Sequence, residues 1–173
     1  DGTAPSEGHG FQLHVGPMGT DVRGRVKIKS ANPLEYPSIL FNYLSTPNER
    51  KEWCEAVRLS RKIIETEAMS ELMGKELSPG KEVQTDEEIL DFIAKEGESA
   101  YHPSSTCRMG VGPMSVTDAN LRVHGIENLR VVDASVFPYV TNGNIYSPVM
   151  MVAEKAADLI LGNTPLKPEQ LPF

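Results

Sequence analysis

Two stretches of the sequence concentrate side chains able to move protons or hold charge. The first, Tyr101-His102-Pro103-Ser104-Ser105-Thr106-Cys107-Arg108-Met109-Gly110, sets a histidine directly before a proline in a loop of hydroxyls. An imidazole titrates near neutrality, so His102 can take a proton from an alcohol at physiological pH; the plainer alternative is a loop histidine bonded to backbone. The second, Asn142-Gly143-Asn144-Ile145-Tyr146-Ser147-Pro148, joins a turn dipeptide to the start of a helix. Amides at a helix N-terminus favour negative charge, so an anionic cofactor or intermediate would suit the position that Asn144 faces; a tight connection into the helix is the alternative.

Other chemistries find less support. Cys54 and Cys107 lie far apart without CxxC spacing, and no HExxH occurs, so a disulfide scaffold and a metal site are both disfavoured and reduced thiols are expected. Ser104 and Ser105 sit beside His102 but lack the G-x-S-x-G elbow of a serine nucleophile. Gly8-His9-Gly10 lacks the third glycine of a dinucleotide fingerprint, and no strand before it or helix after it is visible, so by itself this chain is not expected to cradle a pyrophosphate. His9, His14 and His124 read as structural, and Met150-Met151 as helix packing.

The elements that must position these residues are legible as periodicities. Phe11 to Val15, Arg23 to Lys29 and Ser38 to Tyr43 alternate as half-buried strands, with Val26 and Ile28 on the inner face. Thr46-Pro47-Asn48-Glu49 is a capping box with proline in the first helical position. It opens a helix to about Met69 whose inner face carries Trp53, Ala56, Val57, Ser60, Ile63 and Ile64. Thr85-Asp86-Glu87-Glu88 repeats the box before Ile89, Phe92 and Ile93, and Gly97 ends that helix. Leu121-Arg122-Val123 and Leu129 to Val132 form short strands around Gly125. Ser147, as N-cap, starts a last helix that runs to Gly162. The fold class is therefore α+β, an antiparallel sheet with helices packed on one face.

With 39% hydrophobic and 24% charged residues, the 173-residue chain has the composition of a globular protein, and no apolar run approaches the ~20 residues of a spanning helix. A formal charge of −7 repels phosphate backbones, which argues against nucleic acid as a partner. Residues 1–10 lack the zones of a signal peptide, and the opening Asp1 suggests a piece cut from something larger, for which a cytoplasmic location is expected.

At the two chemical stretches the sequence resembles the C-terminal part of the glucose–methanol–choline (GMC) flavin oxidoreductases, most closely their choline-oxidising branch. The likeness is carried by Arg23-Gly24-Arg25-Val26, Pro37 to Tyr43, Tyr101-His102-Pro103, Thr106 to Gly110, Leu129 to Ser135, Thr141 to Asn144 and Ala153 to Asp158. It implies that His102 is the catalytic base and that Asn144 is the second catalytic residue, the position being Asn in choline-oxidising members. It also implies that Asp133 and Ala134 touch the FAD pyrophosphate and ribityl chain, and that Asn144, Ile145 and Tyr146 lie beside the flavin. Tyr101 and Tyr146 are the implied substrate contacts.

The same resemblance implies residues 1–126 as a substrate-binding domain, 127–162 as the segment that completes the FAD domain, and 163–173 as a tail. The partner is then the missing N-terminal FAD-binding region of the same protein, and the substrate a small alcohol. Peripheral membrane association of the intact enzyme is left open. The reaction implied is oxidation of choline to betaine aldehyde, with the hydroxyl proton leaving to His102 and hydride to flavin N5. The alternatives are a GMC enzyme for another primary alcohol, and a catalytically silent substrate-binding or interaction domain; the fragment alone is expected to be inactive and without FAD.

Overall fold

The computed structural model describes residues 8–164 and 166–170, and its fold is α+β, a small antiparallel sheet with helices packed on one face. The chain divides into two compact units, residues 1–99 and 100–173, each with its own apolar core.

In the first unit, β1 (Arg25–Lys27) pairs antiparallel with β2 (Ser38–Leu40), with Val26 opposite Ile39. Gly24 permits this pairing, since a Cβ there would fall on the carbonyl oxygen of Leu40. Both strands are shorter than the alternation predicts. No strand forms at 11–15, because alternation alone supplies no ladder partner. The side expected to be inner is open: Val26 is 52% and Ile28 88% exposed, so the burial predicted for them does not occur within the described residues.

Helix α1 (Pro47–Ile64) starts as its sequence dictates, with the Thr46 hydroxyl accepting from the Glu49 amide at 3.1 Å. The second half of the expected box does not form. The Glu49 carboxylate turns away from Thr46 to accept from the Leu44 amide and, at 3.4 Å, from the Thr20 hydroxyl, and the residue is almost wholly buried. The helix stops at Ile64 rather than Met69, since Thr66 adopts an extended backbone; a separate 3-10 turn covers Glu67–Met69. Helix α2 (Asp86–Glu96) has the complete capping box: Thr85 Oγ1 accepts from the Glu88 amide, and Glu88 accepts from the Thr85 amide at 2.9 Å. Cys54 and Val57 of α1 close on Ile89 of α2, with Val83, Leu90 and Ile93 around them. Arg61 fastens the intervening loop by donating to Glu76 Oε1, Gly80 O and Val83 O.

In the second unit, Val123 and Val131 donate to the Leu129 and Leu121 carbonyls, a pairing too irregular to make regular strands. Asp118 accepts from the Asn120 and Arg122 amides and turns the chain into that pairing; the Arg122 amide is the main cause holding its carboxyl below the usual range. Helix α3 (Tyr146–Leu161) buries Ala156 against Leu121 and Val136, flanked by Met109, Val131 and Val152. It begins one residue before Ser147, which therefore is not its cap; Pro148 is tolerated because amides of a first helical turn have no internal acceptor. Met150 and Met151, expected in the core, are 44% and 67% exposed, since Ala156 and Val152 mark the inward face. Gly162 ends α3 in the left-handed region, with φ 71°.

Candidate active site

The His102 loop is stitched to a second strip of chain. The amides of Ser105, Cys107 and Met109 donate to the carbonyls of Ala134, Ser135 and Val136 at 3.1, 2.9 and 2.8 Å. The strip 134–136 is itself a 3-10 turn whose geometry is set by Asp133, whose carboxylate accepts from the Ser135 amide at 2.7 Å. Thr117, fully buried, adds a bond from its hydroxyl to the Cys107 carbonyl at 3.2 Å. These bonds bring Asp133 and Ala134 beside the histidine loop, an association that local sequence pattern does not announce.

The loop is also strained where the chemistry is expected. Tyr101 has φ 57° and Ser105 φ 64°, a region that costs a bulky side chain free energy and that clusters at functional sites. Tyr101 is 81% exposed, and His102 next to it is half-buried. Among the described residues, no hydrogen bond engages the imidazole of His102 or the side-chain amide of Asn144, and none joins the two.

Asn144 is exposed and lies just before α3, after Gly143 at φ 77°. Where α1 and α2 are capped by threonines, no side chain caps α3. The first-turn amides of Tyr146 and Ser147, Pro148 having none, and the positive dipole end are thus open to solvent or to an outside acceptor. Ile145 is half-buried and Tyr146 72% exposed. Nearby, Thr141 Oγ1 is buried without a hydrogen-bond partner, a situation that costs about 1–3 kcal/mol. Spacing gives Thr141 no role, since a threonine before an Asn-Gly turn reads as turn chemistry; the residue is half-buried, and only the burial of its unpaired Oγ1 marks it out.

The residues fit a flavin. Such a ring carries polar edge atoms that take hydrogen bonds and becomes anionic on reduction, and the uncapped α3 end with the orphaned Thr141 hydroxyl is suited to both. Among the described residues no three His, Cys, Asp or Glu side chains gather as a metal site would need. Cys54 is buried and Cys107 half-buried, each a free thiol, and burial pushes the Cys54 thiol up. His124 bonds the Gly110 carbonyl at 2.9 Å, the structural role expected of it.

The pattern of the family described as GMC oxidoreductase matches residues 20–153. The chain is 54% identical over 176 aligned residues to the oxygen-dependent choline dehydrogenases of Staphylococcus aureus strains JH9 and Newman, covering all of this chain and 31% of those proteins. It therefore spans less than a third of the length of these relatives. Pyridoxine 4-oxidase from Mesorbium loti superposes with a TM-score of 0.79 at 34% identity, over 86% of this chain and 29% of that one. A fungal aryl-alcohol oxidase gives 0.72 at 30%, over 84% and 24%.

Proposed function

The chain belongs to the GMC oxidoreductase family, and from that premise we propose that in the intact protein it forms part of an FAD-dependent enzyme that oxidises choline to betaine aldehyde. Choline is the substrate carried in the names of relatives 54% identical to it. The observation that supports the chemistry is that His102 and Asn144 belong to one unit and both keep their hydrogen-bonding capacity unspent among the described residues.

His102 takes the hydroxyl proton of the alcohol at an unprotonated ring nitrogen, a role open to an imidazole with no other hydrogen-bond partner among the described residues. Asn144 directs its amide N–H at the alkoxide oxygen as charge develops there, and the α3 N-terminus adds its positive dipole end. Tyr101 and Tyr146, both exposed, offer ring faces to a trimethylammonium head that has no donor of its own. Asp133, Ala134, Asn144, Ile145 and Tyr146 would hold the cofactor. Bound FAD supplies the hydride acceptor, which no side chain can provide.

The tail expected at 163–173 lies partly outside the described residues; in the intact enzyme residues 1–126 form the substrate-binding part and 127–162 complete the FAD domain. This boundary falls inside the 100–173 unit, so the histidine loop and the FAD segment are tied by backbone bonds across it. The partner is the N-terminal FAD-binding region. No helix among the described residues is long and apolar enough to cross a membrane, and we place the enzyme in the cytoplasm, with peripheral membrane contact the variant of that reading. The test is His102→Ala in the intact protein: kcat should fall by about 10²–10⁴ with FAD retained. Near-normal turnover would remove His102 as the base.

A further inference from the structure

We infer that the hydroxyl of Thr141 is a hydrogen-bond partner of bound FAD, a positioning contact that rests on the flavoenzyme reading above. Among the described residues, Thr141 Oγ1 is the buried side-chain oxygen or nitrogen without a partner. The fold satisfies comparable groups: fully buried Thr117 donates to the Cys107 carbonyl, and buried Glu49 accepts from the Leu44 amide and the Thr20 hydroxyl. Native chains leave few such atoms unpaired, and those they leave mark sites completed by something else.

Position decides what completes it. Thr141 connects the Ala134–Val136 turn to α3, so the residues assigned to the cofactor lie on both sides of it: Asp133 and Ala134 before, Asn144 to Tyr146 after. It is two residues ahead of the left-handed Gly143, which bends the chain into the uncapped end of α3. A threonine hydroxyl both donates and accepts, which matches a ring system bearing carbonyl acceptors and an imide donor. The competing partner is a backbone group of the N-terminal region, which would satisfy the hydroxyl whether or not FAD is bound.

The experiment compares Thr141→Val, which keeps the shape and removes the hydroxyl, with Thr141→Ser, which keeps the hydroxyl, in the intact protein. FAD is titrated into each apo-protein, and apo-protein Tm is measured separately. The expected result is an FAD Kd raised about tenfold in Thr141→Val, equivalent to ~1.4 kcal/mol, with an altered visible flavin band. Apo-protein Tm should be unchanged or higher, because a methyl replaces an unpaired hydroxyl, and Thr141→Ser should bind as wild type does. A lowered apo-protein Tm in Thr141→Val, or an unchanged Kd, overturns the proposal and leaves FAD binding standing. Wild-type protein that takes up no FAD removes the flavoenzyme reading itself, and this proposal with it.

Discussion

A single buried carboxylate shows how this chain trades burial against hydrogen bonding. Burial is the largest influence on Glu49 and raises its pKa above 4.5; the Leu44 amide and Thr20 hydroxyl pull it down, while Asp21 and Glu52 push it up. A group with a raised folded pKa contributes stability that is fully present below the unfolded value and is lost as pH rises through the folded one. Glu49→Gln should therefore gain in Tm relative to wild type as pH increases from about 4 to 7. A gap that moves the other way would mean that the two hydrogen bonds outweigh burial. The aromatic residues pose a different question. If Tyr101 and Tyr146 recognise a quaternary ammonium, the intact enzyme should prefer choline to its uncharged isostere 3,3-dimethylbutan-1-ol by at least about tenfold in kcat/KM. Equal efficiency would keep alcohol oxidation and discard choline.

The elements were legible where a local signal determines them. Thr85 and Glu88 specify a helix start through two reciprocal bonds within four residues, and both form. Thr46 and Glu49 offer the same letters, yet Glu49 accepts instead from the amide of Leu44, a residue in the left-handed region at φ 58°. Nothing in the letters distinguishes the two boxes. In the candidate site, His102 and Asn144 could be named from residue type, turn chemistry and family resemblance. The strain at Tyr101 and the solitary hydroxyl of Thr141 could not, since neither a backbone angle nor the burial of one atom is written in residue type or spacing. Gly24 is a position where sheet formation hinges on a missing atom. Gly24→Ala should cost about 1–3 kcal/mol by driving a methyl into the Leu40 carbonyl, while Gly19→Ala, whose methyl meets nothing within 4 Å, should be nearly neutral. Chemical denaturation of the two variants checks this, and equal stability would show that β1 and β2 part without consequence.

At the scale of the whole chain, two separate cores imply two separable stabilities. Ile89, with no exposed surface, anchors the first core, and Ile89→Ala should destabilise it by about 2–5 kcal/mol. Amide exchange at Val131 and Val136, which belong to the other core, should be unaffected; matching losses in both would show that the units unfold as one. The large apolar side chains left open, among them Ile28, Tyr146, Met151 and Leu161, lie in both units, in keeping with a chain that spans 31% of its relatives' length. The bonds from Ser105, Cys107 and Met109 to Ala134, Ser135 and Val136 fix the length of the chain between them. They link alternate residues of one strip to successive residues of the other, so one inserted or deleted residue within 105–109 would turn the donor amides away from their acceptors. The exposed stretches 111–114 and 125–128 carry no such register. A residue inserted at either bend should therefore cost less stability in chemical denaturation than one inserted within the short run that delivers the histidine.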